Sequence, residues 1–128
     1  MSITTEISVG EFLDKMTILQ IKQARIQDGA KQTNIVKELK VLGDLWQQSP
    51  YCHADINEYL QQLSSVNEQL WDIEDDIRAK EEKQEFDQRF IELARSVYMV
   101  NDRRASIKKT INEKLGSGLV EEKSYKEY

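Results

Sequence analysis

The 128-residue chain has little of what interrupts or cross-links a polypeptide: one proline, five glycines and one cysteine. So few prolines and glycines leave few places where a helix must end. The single cysteine, Cys52, cannot form a disulfide within the chain, which favours a reducing compartment. The first eight residues form a short polar segment without the apolar core of a signal peptide. No apolar run approaches the length that crosses a bilayer. We therefore expect a cytoplasmic protein without membrane insertion.

The chain also lacks an excess of basic residues, because its formal net charge is −5. Proteins that bind nucleic acid through its phosphates carry a basic face, so we predict no nucleic-acid partner, although a local basic patch is compatible with this charge. Apolar residues make up 39% of the chain, which is enough for a modest core and too much for simple disorder. Residues 1–128 are predicted to form a single helical domain.

Four stretches with helical hydrophobic spacing predict four helices. Ser8 and Glu11 match a capping box at the start of the first helix, and Asp28 is placed to cap the second. Gly116 is a natural residue to end the fourth. The predicted helices span 8–28, 30–48, 54–83 and 86–115, and 117–128 is a tail without helical pattern.

The third helix carries apolar residues alternately four and three positions apart, from Tyr59 to Ile77, which is typical of a coiled-coil seam. The predicted fold class is all-α: an antiparallel up-down four-helix arrangement with a long coiled-coil-like hairpin of helices three and four. Because helices three and four are longer than helices one and two, part of the apolar seam of the longer pair is left uncovered. We therefore expect a homodimer.

The helix pattern places one charge where an apolar side chain belongs. Extending the stripe that begins at Phe90 along the fourth helix leads to Arg104. A charge in such a seam is costly unless it is paired and hydrogen-bonded. Asn67 and Glu74 lie beside the seam of the third helix, and a hairpin that turns near residue 85 brings Arg104 level with Asn67, with Trp71 one turn away.

Two interpretations of this cluster remain open. In the first, Asn67 and Arg104 form a satisfied buried pair that fixes the register of the helices. In the second, Arg103 and Arg104 bind a phosphate or carboxylate through forked hydrogen bonds. The candidate ligand-binding residues are the arginines Arg103 and Arg104, the carboxylates Asp102 and Glu74 that orient them, the walls Tyr98 and Trp71, and the flanking Asn101 and Lys108.

Acidic side chains suggest an alternative function, a Mg²⁺-dependent hydrolase of nucleotide phosphates, similar to helical pyrophosphohydrolases. Its ligands would be Glu11 and Asp14 on the first helix and Glu74 and Asp75 on the third. The paired ExxE and ExxD motifs of such enzymes are missing, and Glu74 is placed to pair instead with Arg78 one turn on. We therefore predict no catalytic residue, metal or cofactor.

Four blocks resemble an uncharacterised family of short bacterial and phage helical proteins, and together they extend over nearly the whole chain. They are 8–22 (SVGEFLDKMTILQIK), 67–78 (NEQLWDIEDDIR), 90–105 (FIELARSVY through NDRRA) and 120–125 (VEEKSY). That family resembles a domain of unknown function sometimes found near or fused to glycosyltransferase and surface-polysaccharide genes. The resemblance implies an association with polysaccharide assembly and no defined activity. Together with the residues, it favours a non-enzymatic helical interaction module that binds a small anionic ligand or a partner protein.

Overall fold

The computed structural model describes residues 1–128 and is all-helical, with four α-helices and no strands. The helices are α1 (Val9–Arg25), α2 (Gly29–Gln48), α3 (Asn57–Glu82) and α4 (Gln88–Leu115). Three of them lie inside the predicted ranges, and α2 begins one residue earlier than predicted, at Gly29. The largest differences are at the end of α1, three residues short, and at the start of α3, where the Asp55 carboxylate accepts the N–H of Asn57 in a turn that delays the helix by as much.

The ends of the helices follow local capping chemistry. The Ser8 hydroxyl accepts the N–H of Glu11 at 3.1 Å, and the Asp28 carboxylate accepts the N–H of Lys31 at 3.0 Å. Gly116 ends α4 in the left-handed region, at φ 65°. The predicted caps at Ser8, Asp28 and Gly116 are therefore confirmed. The return half of the capping box is not made, because the Glu11 side chain pairs instead with Lys108 on α4.

α1 is the central helix. It packs against α2, α3 and α4, and α3 and α4 also pack against each other, whereas α2 approaches no helix other than α1. The main core lies between α1, α3 and α4, around the fully buried Leu13, Leu63 and Ile111. A second, smaller core joins α1 to α2 through Leu19 and residues of α2. The four helices thus do not contribute equally to one core, because α2 covers the outer face of α1 and adds Trp46 to the edge of the main core.

α1 and α4 come closest at Gly10. A Cβ atom at this position would lie 2.5 Å from the backbone oxygen of Lys108, so only glycine permits the observed approach. The Gly10 N–H donates to the side-chain oxygen of the buried Asn112 at 2.7 Å. This close approach sets the distance between α1 and α4 along the site described next.

Near the connection between α3 and α4, apolar side chains remain exposed, among them Phe86 and Ile91. This is the region from which a homodimer is predicted, and dimerisation stays a prediction. None of the four helices carries an apolar stretch that could reach across a bilayer.

Candidate functional site

A buried polar cluster lies where α1, α3 and α4 meet, and we call Asp14, Thr17, Asn67 and Arg104 the polar node. The Asp14 carboxylate is inaccessible to water. It accepts hydrogen bonds from the Asn67 amide at 2.9 Å and from Arg104 Nε at 2.9 and 3.1 Å, and a further one from Arg104 Nη2. Thr17 accepts a second hydrogen bond from Asn67 at 3.0 Å and donates to the backbone oxygen of Asp14 at 2.7 Å.

The polar node is fully satisfied, since no buried side-chain nitrogen or oxygen of the protein lacks a partner. The hydrogen bond to Asp14 raises the pKa of Arg104 above its usual value, although partial burial acts in the opposite direction. The guanidinium therefore stays charged, and the pair fixes its position. Asp14 uses Nε and Nη2 of Arg104, so Nη1 has no partner within the protein.

Arg104 lies at the helix seam, where its position in the sequence predicts it, and its side chain is mostly covered, with 28% exposed. Its principal partner was not foreseen. Asn67 and Arg104 both bind Asp14, so the predicted pair of α3 and α4 is in fact joined through α1. Asp14 lies on the same face of α1 as Gly10, Thr17 and Ile21, all of which are buried. This helical spacing is the feature of the sequence that indicates a buried carboxylate.

The eight predicted site residues do not form one site. Arg103 faces away from Arg104, because adjacent side chains on a helix diverge by about 100°. It donates instead to Gln69 on α3 at 3.1 Å, in a separate hollow between α3 and α4. Arg103 and Arg104 therefore cannot bind one anion as a pair.

Trp71 and Glu74 line a second groove, of about 440 Å³, between α1 and α3. Arg104 reaches this groove as well as the one described below, so its guanidinium lies between the two. The guanidinium of Arg25 lies 5.8 Å from the centre of the Trp71 ring. Glu74 pairs with Arg78 at 3.2 Å, as predicted, and not with an arginine of α4. Asp14 orients Arg104 in place of Glu74, and Trp71 is not a wall of the same pocket as Tyr98.

The remaining five predicted residues meet in a groove of about 670 Å³ between α4 and the tail, residues 117–128. We call it the tail groove. Its lining includes predicted residues from α4 and four tail residues that the sequence analysis missed, because the tail has no helical pattern. From α4 these are Tyr98, Asn101, Asp102, Arg104 and Lys108, and from the tail Lys123, Tyr125, Lys126 and Tyr128.

The first part of the tail is held against buried polar groups. The Glu121 carboxylate accepts hydrogen bonds from the Ser8 hydroxyl and, at 3.3 Å, from the Asn112 amide. The Ser117 hydroxyl accepts the N–H of Val9 at 3.2 Å. Burial acts to raise the pKa of Glu121, but the hydrogen bond from Ser8, the charge of Lys108 and the hydrogen bond from Asn112 together lower it below its usual value.

The later part of the tail is held by exposed contacts. Lys123 pairs with Asp102 at 2.7 Å, and about two fifths of each side chain is exposed. The Tyr128 ring meets the edge of Tyr98, with the ring centres 5.2 Å apart. Hydrogen bonds from Lys123 and Tyr128 lower the pKa of Asp102.

Four cationic side chains converge on the tail groove, and Asp102 carries the single acidic side chain in its lining. Arg104 pairs with Asp14, Lys108 with Glu11, and Lys123 with Asp102. Lys126 makes no ion pair within the protein. An ammonium group has three N–H donors and a guanidinium five, so each of these side chains keeps donors that its carboxylate does not use.

The carboxylates considered for Mg²⁺ do not converge. Glu11 and Asp14 are engaged by Lys108 and Arg104, while Glu74 and Asp75 line the groove between α1 and α3. Nowhere in the structure do three His, Cys, Asp or Glu side chains lie close enough to hold one metal ion. The predicted ligand set of the hydrolase is therefore not assembled.

The fold and site define an all-helical protein in which a buried Asp–Arg pair supports a groove lined by cationic and aromatic side chains. The family model of DUF6165, a family of unknown function, matches residues 3–128, so the chain belongs to this family. Neither a curated protein nor a solved structure matches this chain.

Proposed function

We propose that the chain is a non-enzymatic helical binding module that takes a small anionic ligand, or an acidic segment of a partner protein, in the tail groove. The observation that carries the proposal is the convergence of Arg104, Lys108, Lys123 and Lys126 on one groove in a protein of net charge −5. Charged hydrogen bonds from such groups to phosphate or carboxylate are the strong ones.

Preorganisation supports the proposal at Arg104. Its guanidinium is fixed through Nε and Nη2 by a buried carboxylate, so a ligand that binds Nη1 need not order the side chain. Lys108 is similarly restrained by Glu11 and is only 17% exposed. Because these cations already have carboxylate partners, we expect modest affinity that falls with added salt.

In this proposal α3 and α4 form an antiparallel hairpin. Two contacts support that arrangement: Lys80 with Asp87 at 2.8 Å beside the connection, and Gln69 with Arg103 at 3.1 Å farther along both helices. The resemblance described above also leads us to propose a cytoplasmic role linked to surface-polysaccharide assembly. A homodimer stays a prediction, which light scattering over a range of concentrations would measure.

The proposal is tested by titrating inorganic phosphate into the protein in a calorimeter at low salt. A matched pair of variants separates the groove from the general charge: Lys126→Met within the groove and Lys109→Met on the exposed outer face of α4. We expect Lys126→Met to weaken binding roughly tenfold, the effect of losing one charged hydrogen bond. Lys109→Met should bind within about twofold of the unmodified chain.

Absence of phosphate binding, or an equal loss in the two lysine variants, would contradict the proposal. Release of phosphate from a nucleotide in the presence of Mg²⁺ would favour the hydrolase instead.

A further inference from the structure

The cations of the tail groove come from two pieces of the chain. Arg104 and Lys108 belong to α4, within the packed body of the protein. Lys123 and Lys126 belong to the tail, which follows the left-handed Gly116 and has no helical hydrogen bonds of its own. A ligand in the groove therefore meets a fixed pair of cations on one wall and a separately attached pair on the other.

The two halves of the tail differ in how firmly they are attached. Glu121 is held by the buried Ser8 and Asn112. The residues after it depend on exposed contacts: Lys123 and Tyr128 both donate to Asp102, and the Tyr128 ring packs against Tyr98. Exposed ion pairs contribute little to stability, typically about 0–1 kcal/mol. The residues from 122 onward therefore have little holding them against α4 in the absence of a ligand.

Resting on the function proposed above, we propose that the tail groove selects ligands with two linked anionic groups, a diphosphate being the simplest, and that such a ligand fastens the tail to α4. One anionic group binds Arg104 and Lys108, and the other binds Lys123 and Lys126. A ligand that touches both walls binds only the docked tail, so it shifts the tail toward that state. A single phosphate binds Lys123 and Lys126, because Lys126 has no carboxylate partner of its own, and it leaves the attachment of the tail to α4 as it was.

The second contact of a diphosphate is intramolecular, so its contribution is governed by the high effective concentration of the tail cations beside the first site. We therefore expect pyrophosphate to bind at least tenfold more tightly than inorganic phosphate. We also expect it to slow amide hydrogen exchange in residues 122–128, while phosphate leaves that exchange unchanged.

The experiment measures calorimetric affinity for phosphate and pyrophosphate, without divalent metal, and amide exchange with each anion. Three proteins are compared: the unmodified chain, the tail variant Lys123→Met/Lys126→Met, and the control Lys109→Met/Lys114→Met. The control removes the same charge from exposed positions of α4 outside the groove. We expect the preference for pyrophosphate to disappear in the tail variant and to persist in the control.

Pyrophosphate that binds no more tightly than phosphate, or that leaves exchange in the tail unchanged, would overturn the inference. A preference of equal size in the tail variant would overturn it as well, because it would reflect total charge alone. If phosphate binds and Lys126→Met weakens it, the proposed function stands even when this inference fails. If neither anion binds, the proposed function and the inference fail together.

Discussion

At the scale of single residues, the two charges of the Asp14–Arg104 pair are unequally placed. Asp14 has no contact with water, whereas 28% of the Arg104 side chain is exposed. Removing one member of a buried pair leaves the other charge without compensation, and the penalty grows with how completely that charge is buried. The free energy of unfolding should therefore fall by different amounts when Asp14 or Arg104 is removed.

We predict that Arg104→Ala lowers the free energy of unfolding more than Asp14→Ala, by about 3–4 against about 1–2 kcal/mol. The arginine variant leaves a carboxylate in the core with Asn67 as its remaining side-chain donor, while the aspartate variant leaves a guanidinium that reaches solvent. The measurement is urea unfolding followed by circular dichroism.

The double variant Asp14→Leu/Arg104→Met serves as a control for this prediction. It removes both charges while keeping side-chain volume, so its loss should be smaller than the sum of the two single losses. Equal losses in the single variants, or the reverse order, would show that exposure of the surviving charge does not decide the cost.

At the scale of helices, the contact of α1 with α4 depends on a missing side chain. At Gly10 the backbones are so close that a methyl group would meet the carbonyl of Lys108, and backbone cannot move aside as a flexible side chain can. Gly43, within α2, has open space around it. Both glycines lie in helices, but Gly10 has no room for a side chain whereas Gly43 does.

We predict that Gly10→Ala destabilises the fold by about 1–3 kcal/mol, because α1 and α4 must separate. Gly43→Ala should stabilise it by about 0.5–1 kcal/mol through helix propensity alone. Thermal unfolding of both variants measures the difference. A melting temperature of Gly10→Ala at or above that of the unmodified chain would show that α1 and α4 do not require glycine at this contact.

How far the sequence predicts this fold depends on whether a signal is local. The caps at Ser8, Asp28 and Gly116 were predictable because each cap is set by residues three or four positions away. The choice of partner helix is not local. Nothing in the pattern of α2 distinguishes packing on α1 alone from packing in a shared four-helix core, because both bury one apolar stripe.

The site was predictable in part for the same reason. The position of Arg104 followed from the rhythm of its own helix, but its partner Asp14 lies ninety residues earlier on another helix. The tail lysines gave no periodic signal, since an extended segment held by Glu121 and Lys123 has neither helical nor strand periodicity, and the family resemblance of residues 120–125 assigns them no role. The residues that were missed are those whose role depends on contacts distant in sequence.

At the scale of the whole molecule, two carboxylates attach the tail to the body, and each has a pKa below its ordinary value. Glu121 is held by Ser8 and Asn112, and Asp102 accepts from Lys123 and Tyr128. A carboxylate whose pKa is lowered in the docked state contributes attachment that is complete above its ordinary pKa. That contribution is lost as pH falls through the lowered value.

We therefore predict that the first part of the tail, through Glu121, stays docked at neutral pH and detaches below about pH 4.5, the ordinary value for Glu121. Amide chemical shifts of residues 119–128, followed by NMR from pH 7 to pH 3, measure this directly. In Glu121→Gln the tail should be looser at pH 7, and its remaining pH dependence should be that of Asp102. Detachment on raising the pH instead would contradict the assignment.

The position of α2 has a consequence for how the protein comes apart. Because α2 touches α1 alone among the helices, it can swing away while the polar node and the Gly10 crossing stay intact. Cooperative units of low stability are those with few partners, and α2 is such a unit. Backbone amides of α2 should accordingly be the first of the four helices to exchange with solvent, through an opening that leaves the other three helices assembled.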